Sequence, residues 1–344
     1  MVIILLSTLF LLVVFFNIFG SHPKQHASLL RSSSSSDNNS NNNNNNSLCE
    51  IKVCSHQILN APSSSDYYLP DGSLQAMDAL WEASINCFDI DIVTLKDGTL
   101  LTAHPKRFAD ALIGSVKQRP EEYTLAEARS AGIDAVGFPI LEDVLSHFAN
   151  LVKTTTITTT AHNDNTNGLI FRQGGVGPLL NLDLKGPNLT VDHVNKLEEI
   201  ITEQGILGNV AVCATALENN DVGPGVDLLN ILGMKRSIDN NLFIGIVLRD
   251  RVVEENNLER VSQLIEQYPA IELIVPSNKF DVHYFHSLKK HVQKPITSWT
   301  VDDEEGLAHA IQSGLDDIIS NHPIEMNDKL QAMKKGQCNT SDES

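Results

Sequence analysis

Along the chain, short apolar runs alternate with longer stretches in which apolar residues recur every three or four positions. Eight runs read as strands: 50–55, 87–94, 179–185, 209–215, 242–248, 271–276, 295–301 and 316–320. They are short, rich in Val, Ile and Leu, and bounded by polar or turn-forming residues, the pattern of strands buried on both faces. The intervening stretches 73–85, 190–204 and 255–267 carry the helical period, and Thr124 with Glu127 forms a capping box at a further helix start. Strand and helix alternating in this way predict a parallel sheet covered by helices. Eight repeats predict a single-domain (β/α)8 TIM barrel over residues 49–326 rather than a doubly wound open sheet.

Several segments fall outside this rhythm. Residues 2–20 form an apolar run without a charged side chain, long enough to span a bilayer and equally suited to a secretory signal, so residues 1–21 read as a signal peptide or signal anchor. Either reading sends the chain into the secretory pathway, to be secreted or held at a membrane with its folded part lumenal or extracellular. Residues 22–48 are a Ser/Asn-rich linker whose composition cannot bury enough apolar surface to fold. Residues 153–168, rich in Thr and Asn, read as a surface insertion loop with His162 solvated, and 327–344 as a C-terminal tail. Glycosylation sequons begin at Asn38, Asn45, Asn188 and Asn339. Of five cysteines, Cys49 and Cys338 flank the barrel and can pair if its ends meet, whereas Cys54, Cys87 and Cys213 read as buried thiols.

Composition narrows the partners. A net charge of −18 excludes a nucleic-acid surface, which needs clustered Lys and Arg, and suits solubility and cation binding. Barrel chemistry sits at the C-terminal strand ends. The polar residues expected there are His56 after the first strand, Asp89 and Asp91 in the second, His104 beyond the turn that follows, and Asp183 with Lys185 closing the third. Side chains alternate along a strand, so Asp89 and Asp91 share a side, as do Asp183 and Lys185. Buried acids of this kind need a partner. Three carboxylates offer oxygen ligands to a hard divalent cation, Ca2+ or Mg2+, and a structural ion pair with Lys185 is the alternative.

The order His56, Asp89-x-Asp91, "DGTL" with His104 thirteen residues after Asp91, then Asp183-x-Lys185 resembles the phospholipase-C-like phosphodiesterases, specifically the glycerophosphodiester phosphodiesterase group. Residues 298–323, "SWTVDDEEGLAHAIQSGLDDIISNHP", are similar to that group's Trp-Thr strand and the return into its last strand. The resemblance spans most of residues 50–323. Departures accompany it: Gln57-Ile58 stands where the group has Arg-Gly, Asp89 where it has Glu, and Pro105 where it has Asp. "LTAHPKRF", "LLNLDLKGPN" and "FIGIVLRDRVVEEN" look more like menorin, a branch of secreted or membrane-tethered proteins linked to extracellular and neuronal roles.

The resemblance implies a metal-dependent phosphoric diester hydrolase acting on a small glycerophosphodiester or phospholipid-derived substrate. His56 would serve as base and His104 as acid, Lys185 would offset phosphoryl charge, and Asp89, Asp91 and Asp183 would hold Ca2+ or Mg2+. The alternative is a menorin-like interaction protein, secreted or membrane-tethered through residues 2–20, with a non-catalytic barrel and an extracellular protein partner.

Overall fold

The computed structural model describes residues 51–58, 72–112, 119–159, 178–185, 190–218, 221–222, 243–249, 256–268, 271–279 and 281–337. The apolar segment 2–20, the linker, all four sequons (Asn38, Asn45, Asn188 and Asn339), His162 and the Cys49/Cys338 pair lie outside the described residues. Among the described residues no helix is long and apolar enough to cross a membrane.

Eight parallel strands form the barrel: β1 (Lys52–His56), β2 (Cys87–Thr94), β4 (Leu179–Lys185), β5 (Val210–Glu218), β7 (Phe243–Leu248), β8 (Ile271–Pro276), β9 (Thr297–Trp299) and β10 (Asp317–Ser320). They pair in the order β8-β7-β5-β4-β2-β1-β10-β9, with the two-residue β6 (Asp221–Val222) antiparallel to the end of β5. Bridges Ile274–Ile296 and Ser277–Trp299 join the two ends of that order, with Asn278 N–H donating to Trp299 C=O at 2.7 Å. All eight expected strands are present, and the expected (β/α)8 barrel is the fold.

Helices α1 (Leu74–Glu82), α4 (Leu141–Thr159), α5 (Val191–Gln204), α6 (Asn256–Gln267), α7 (Val282–Val292), α8 (Glu304–Gln312) and α9 (Pro323–Gln337) surround the strands. The main core, including Phe88, Ile90, Leu182, Val212, Ile246, Phe148 and Leu288, lies between strands and helices. A second cluster fills the barrel itself: Cys54, Cys87, Leu179, Ala211, Cys213, Phe243, Val247, Leu273, Val275 and Ile319. Alternation along each strand sends one set outward to the helices and the other inward.

Three details depart from the expectations. Cys54 and Cys87 are not free thiols. Register places Ser55 opposite Phe88 and His56 opposite Asp89, so Cys54 faces Cys87 across β1 and β2, and the two form a disulfide with Cα atoms 4.3 Å apart. Cys213 is the buried free thiol, as expected. The expected surface insertion at 153 begins as helix: α4 continues to Thr159, because each Thr costs only a few tenths of a kcal/mol in a helix already nucleated by the amphipathic turns before it. At the other end α9 runs through residue 326 to Gln337 and buries Met326 and Leu330.

One excursion leaves the barrel. After β2 the chain turns at Gly98 (φ +80°), a position that favours glycine, and returns as β3 (Leu100–Thr102), antiparallel to β2. It continues through α2 (Pro105–Ala111), a short 3-10 turn and α3 (Leu125–Ser130) before joining α4. This excursion has its own small core, with Val93, Leu95, Leu101, Phe108, Tyr123 and Ile133 all buried. The Thr124/Glu127 capping box opens α3 as the sequence predicts.

Candidate functional site

The six residues singled out by sequence gather at the C-terminal ends of β1, β2 and β4. His56 ends β1 and pairs in register with Asp89, which pairs in turn with Asn181 on β4. One inward layer further on, Asp91 pairs with Asp183, whose neighbour on β5 is Cys213. His56, Asp89, Asp183 and Lys185 line a cleft of about 300 Å3 with Val247, Val275, Trp299 and Ile319. Asp91 and His104 line an adjoining cleft of about 250 Å3, whose walls include Gln57, Thr102, Arg107 and Phe138. Lys185 joins the two clefts: its Nζ lies 3.0 Å from Asp91 Oδ1 and also donates to Asp183 Oδ2. Trp299 forms a wall of the mouth, its indole N–H donating to Val275 C=O at 3.3 Å.

Burial dominates the electrostatics. Asp89, Asp91 and Asp183 are 8%, 3% and 6% exposed. Burial pushes the Asp89 carboxyl well above the usual carboxylate range, and repulsion from Asp183 and Asp91 adds to it. Asp183 is also raised by burial, with Lys185 working against the shift. Although burial pulls the Lys185 ammonium down, Asp183 and Asp91 hold it above its ordinary value, so it stays charged. The mouth therefore carries more acid than one lysine neutralises.

The donor set fits a hard divalent cation. Asp91 Oδ2, Asp183 Oδ1 and the Asn181 side-chain amide, wholly buried, have no hydrogen-bond partner, and leaving such groups unsatisfied is costly. Among the described residues no three His, Cys, Asp or Glu side chains already stand in coordinating geometry. The Lys185 ammonium sits between Asp91 and Asp183, where a cation would compete with it.

The two histidines are held differently. His56 Nδ1 lies 2.7 Å from Asn321 Oδ1. The Asn321 amide nitrogen donates to Asp302 Oδ2 at 2.7 Å, and Asp302 Oδ1 accepts from Asn321 N–H and the Ser320 hydroxyl. Because the Asn321 oxygen can only accept, His56 carries its proton on Nδ1 and leaves Nε2 as an acceptor. Gln57 Nε2 stands 3.2 Å from that nitrogen. His104 is instead the N-cap of α2: its Nδ1 accepts from Lys106 N–H at 3.1 Å, which places the neutral ring's proton on Nε2. Burial lowers its pKa below the ordinary 6.5, with Asp91 opposing the shift.

Sequence reasoning missed Asn321 and Asp302. Both lie in the segment 298–323, as the acid after the Trp-Thr strand and the Asn before His-Pro. Asp-Asp in that place reads first as a helix cap, a role that Asp303 does fill for α8.

No protein-family model and no curated protein sequence matches this chain. Solved structures do. A protein assigned as a glycerophosphoryl diester phosphodiesterase from Silicibacter pomeroyi aligns over 82% of this chain and 94% of its own, with TM-score 0.59 and 14% identity. One assigned as a glycerophosphodiester phosphodiesterase from Galdieria sulphuraria covers 82% and 98%, with TM-score 0.57 and 15% identity. An Oleispira antarctica phosphodiesterase in complex with the product sn-glycerol-3-phosphate covers 81% and 96%, with TM-score 0.54 and 15% identity. The chain has the barrel fold of these proteins.

Proposed function

We propose that this chain is a metal-dependent phosphodiesterase that cleaves glycerophosphodiesters or related phospholipid-derived diesters. One observation carries the reading: two histidines, one lysine and three buried carboxylates, two of them with unpartnered oxygens, meet at the C-terminal mouth of a barrel shared with glycerophosphodiester phosphodiesterases. Asp89, Asp91 and Asp183 would hold Ca2+ or Mg2+, with Asn181 Oδ1 as a further oxygen. When bound, the ion supplies positive charge that neutralises the phosphodiester. His56, its proton fixed on Nδ1 by Asn321, takes the proton of the attacking hydroxyl at Nε2; the attacking group is the substrate's own glycerol hydroxyl, and a cyclic phosphate forms. His104 as imidazolium gives a proton to the departing alkoxide. Lys185 turns from the carboxylates toward the phosphoryl oxygens as their charge grows.

The protein works in the secretory pathway or outside the cell, held to a membrane if residues 2–20 remain. The Cys54–Cys87 disulfide supports an oxidising compartment. A second reading, a menorin-like non-catalytic barrel that binds an extracellular protein, is favoured by Gln57. Its amide stands on the His56 nitrogen that a base must use.

Alcohol release from glycerophosphocholine and glycerophosphoethanolamine, measured with Ca2+ or Mg2+ for the full chain and for His104→Ala, separates the readings. The enzyme predicts metal-dependent release that the substitution removes. Equal rates for both chains, or none from either over a broad diester panel, favours the binding protein.

A further inference from the structure

Side chains alternate along β1, so an extended chain past His56 would turn the next side chain away from it. The chain does otherwise. Gln57 and Ile58 both take the left-handed region, at φ +52° and +53°, which residues other than glycine rarely adopt. This turn is held from two sides: Gln57 N–H donates to Asp89 C=O at 2.6 Å, and the Ile58 side chain is buried in the main core. Its effect is to bring the Gln57 amide back onto the base, with Gln57 Nε2 3.2 Å from His56 Nε2. Backbone strain of this kind persists only where its surroundings over-determine it, and it collects at functional sites.

Hydrogen-bond polarity fixes what the amide does there. The Asn321 amide nitrogen donates to Asp302, its oxygen accepts from His56 Nδ1, and His56 Nε2 is therefore an acceptor to which Gln57 must present N–H. Asp302, Asn321, His56 and Gln57 form one relay, and its last member occupies the lone pair that has to receive a proton. Gln57 also lines the adjoining cleft, with Asp91 and His104. We infer that Gln57 is a removable cap on His56. Its amide holds Nε2 in the resting chain and turns into the adjoining cleft when phosphoryl oxygens, which accept hydrogen bonds and donate none, take its N–H instead. Gln57 is thus a positioning residue that acts through His56. The inference rests on the functional reading above for the role of His56 as base, whereas the hydrogen bond that makes the cap does not.

Glycine is at ease at φ +52°, so Gln57→Gly removes the amide without straining the turn; Gln57→Met keeps the length and bulk of the side chain and removes only its donor. Diethyl pyrocarbonate acylates a neutral imidazole through its lone pair, and peptide mass spectrometry reads each histidine separately. In the full chain both substitutions should speed acylation of His56 about fivefold, the scale of one neutral hydrogen bond, and leave His104, held by Lys106 N–H, unchanged. With Mg2+ or Ca2+, kcat/KM for glycerophosphoethanolamine should rise by a similar factor. An unchanged His56 rate in both variants overturns the cap, and a rise in Gln57→Gly alone makes the side chain a steric shield and overturns it too. Faster acylation with a lower kcat/KM overturns the inference as well, because the amide then serves the reaction more than it restrains the base. Faster acylation with no turnover by the parent or either variant supports the cap and overturns the phosphodiesterase reading.

Discussion

His56 and His104 line adjoining clefts of one mouth but stand on regions that differ in how they are built. His56 sits on a barrel strand, oriented by a chain of hydrogen bonds from Asp302 through Asn321 that ties the beginning of the barrel to its end. His104 sits on the excursion after β2, oriented by one backbone N–H and packed over a small separate core. The base role proposed for His56 needs one fixed lone pair, and a support reaching across the closed barrel supplies that. The acid role proposed for His104 needs a group that gains and loses a proton. Protonating His104 Nδ1 forfeits the bond from Lys106, which adds to the burial that already favours the neutral ring. Fixed tautomer on one side and easy deprotonation on the other follow from where each residue is anchored.

Breaking the barrel side has the largest expected effect. His56→Ala lowers kcat/KM by roughly 10²–10⁴, the usual range for a positioned general base, and Asn321→Ala lowers it by roughly a hundredfold because the ring loses its orientation. Steady-state kinetics on one diester measures both. If Asn321→Ala is as active as the parent chain, the relay does not orient the base.

Loosening the excursion tests its independence. Phe108 is wholly buried, with its ring 5.9 Å from that of Tyr123. Phe108→Ala should cost the excursion about 3–5 kcal/mol. In native-state hydrogen exchange, protection falls at Leu101 and Phe108 and persists at Val212 and Ile246 in the barrel. Uniform loss at all four sites would make the two regions one cooperative unit.

The pH profile sharpens the contrast. An acid with a lowered pKa is protonated only below its folded value, so the alkaline limb of kcat/KM should have its midpoint below 6.5. Arg107→Gln should move that limb upward, since the guanidinium is among the charges depressing His104. A limb above 6.5 would take the acid role from this residue. The smallest effect is local: Thr124→Ala removes the capping box of α3 and should lower stability by about 1 kcal/mol in a denaturant melt, leaving the kinetics of the barrel histidine untouched.

The barrel was legible because each of its eight strands is an apolar run between turn signals, and five of the six candidate residues were placed by period-two alternation on those strands or at their ends. His104 was legible from its spacing after "DGTL", while the three-residue β3 beside it was too short to show a pattern. Strand register hid the rest. Cys54 and Cys87 join because β1 and β2 align them, and no local feature of either run carries that alignment. Asp302 and Asn321 meet His56 because β9, β10 and β1 are neighbours in a closed sheet, although His56 and Asn321 stand 265 residues apart. Asn181 lies in the third expected strand, 179–185. Its burial without a partner, which makes it an oxygen candidate for a cation, belongs to the packed barrel.

Phosphorus NMR of glycerophosphoethanolamine incubated with the full chain and Mg2+ or Ca2+ tests the central claim most directly. The account predicts loss of the diester signal through a cyclic phosphate to a phosphomonoester, with neither product formed by His56→Ala. A diester signal that stays constant with the parent chain, or that decays equally with His56→Ala, would contradict it.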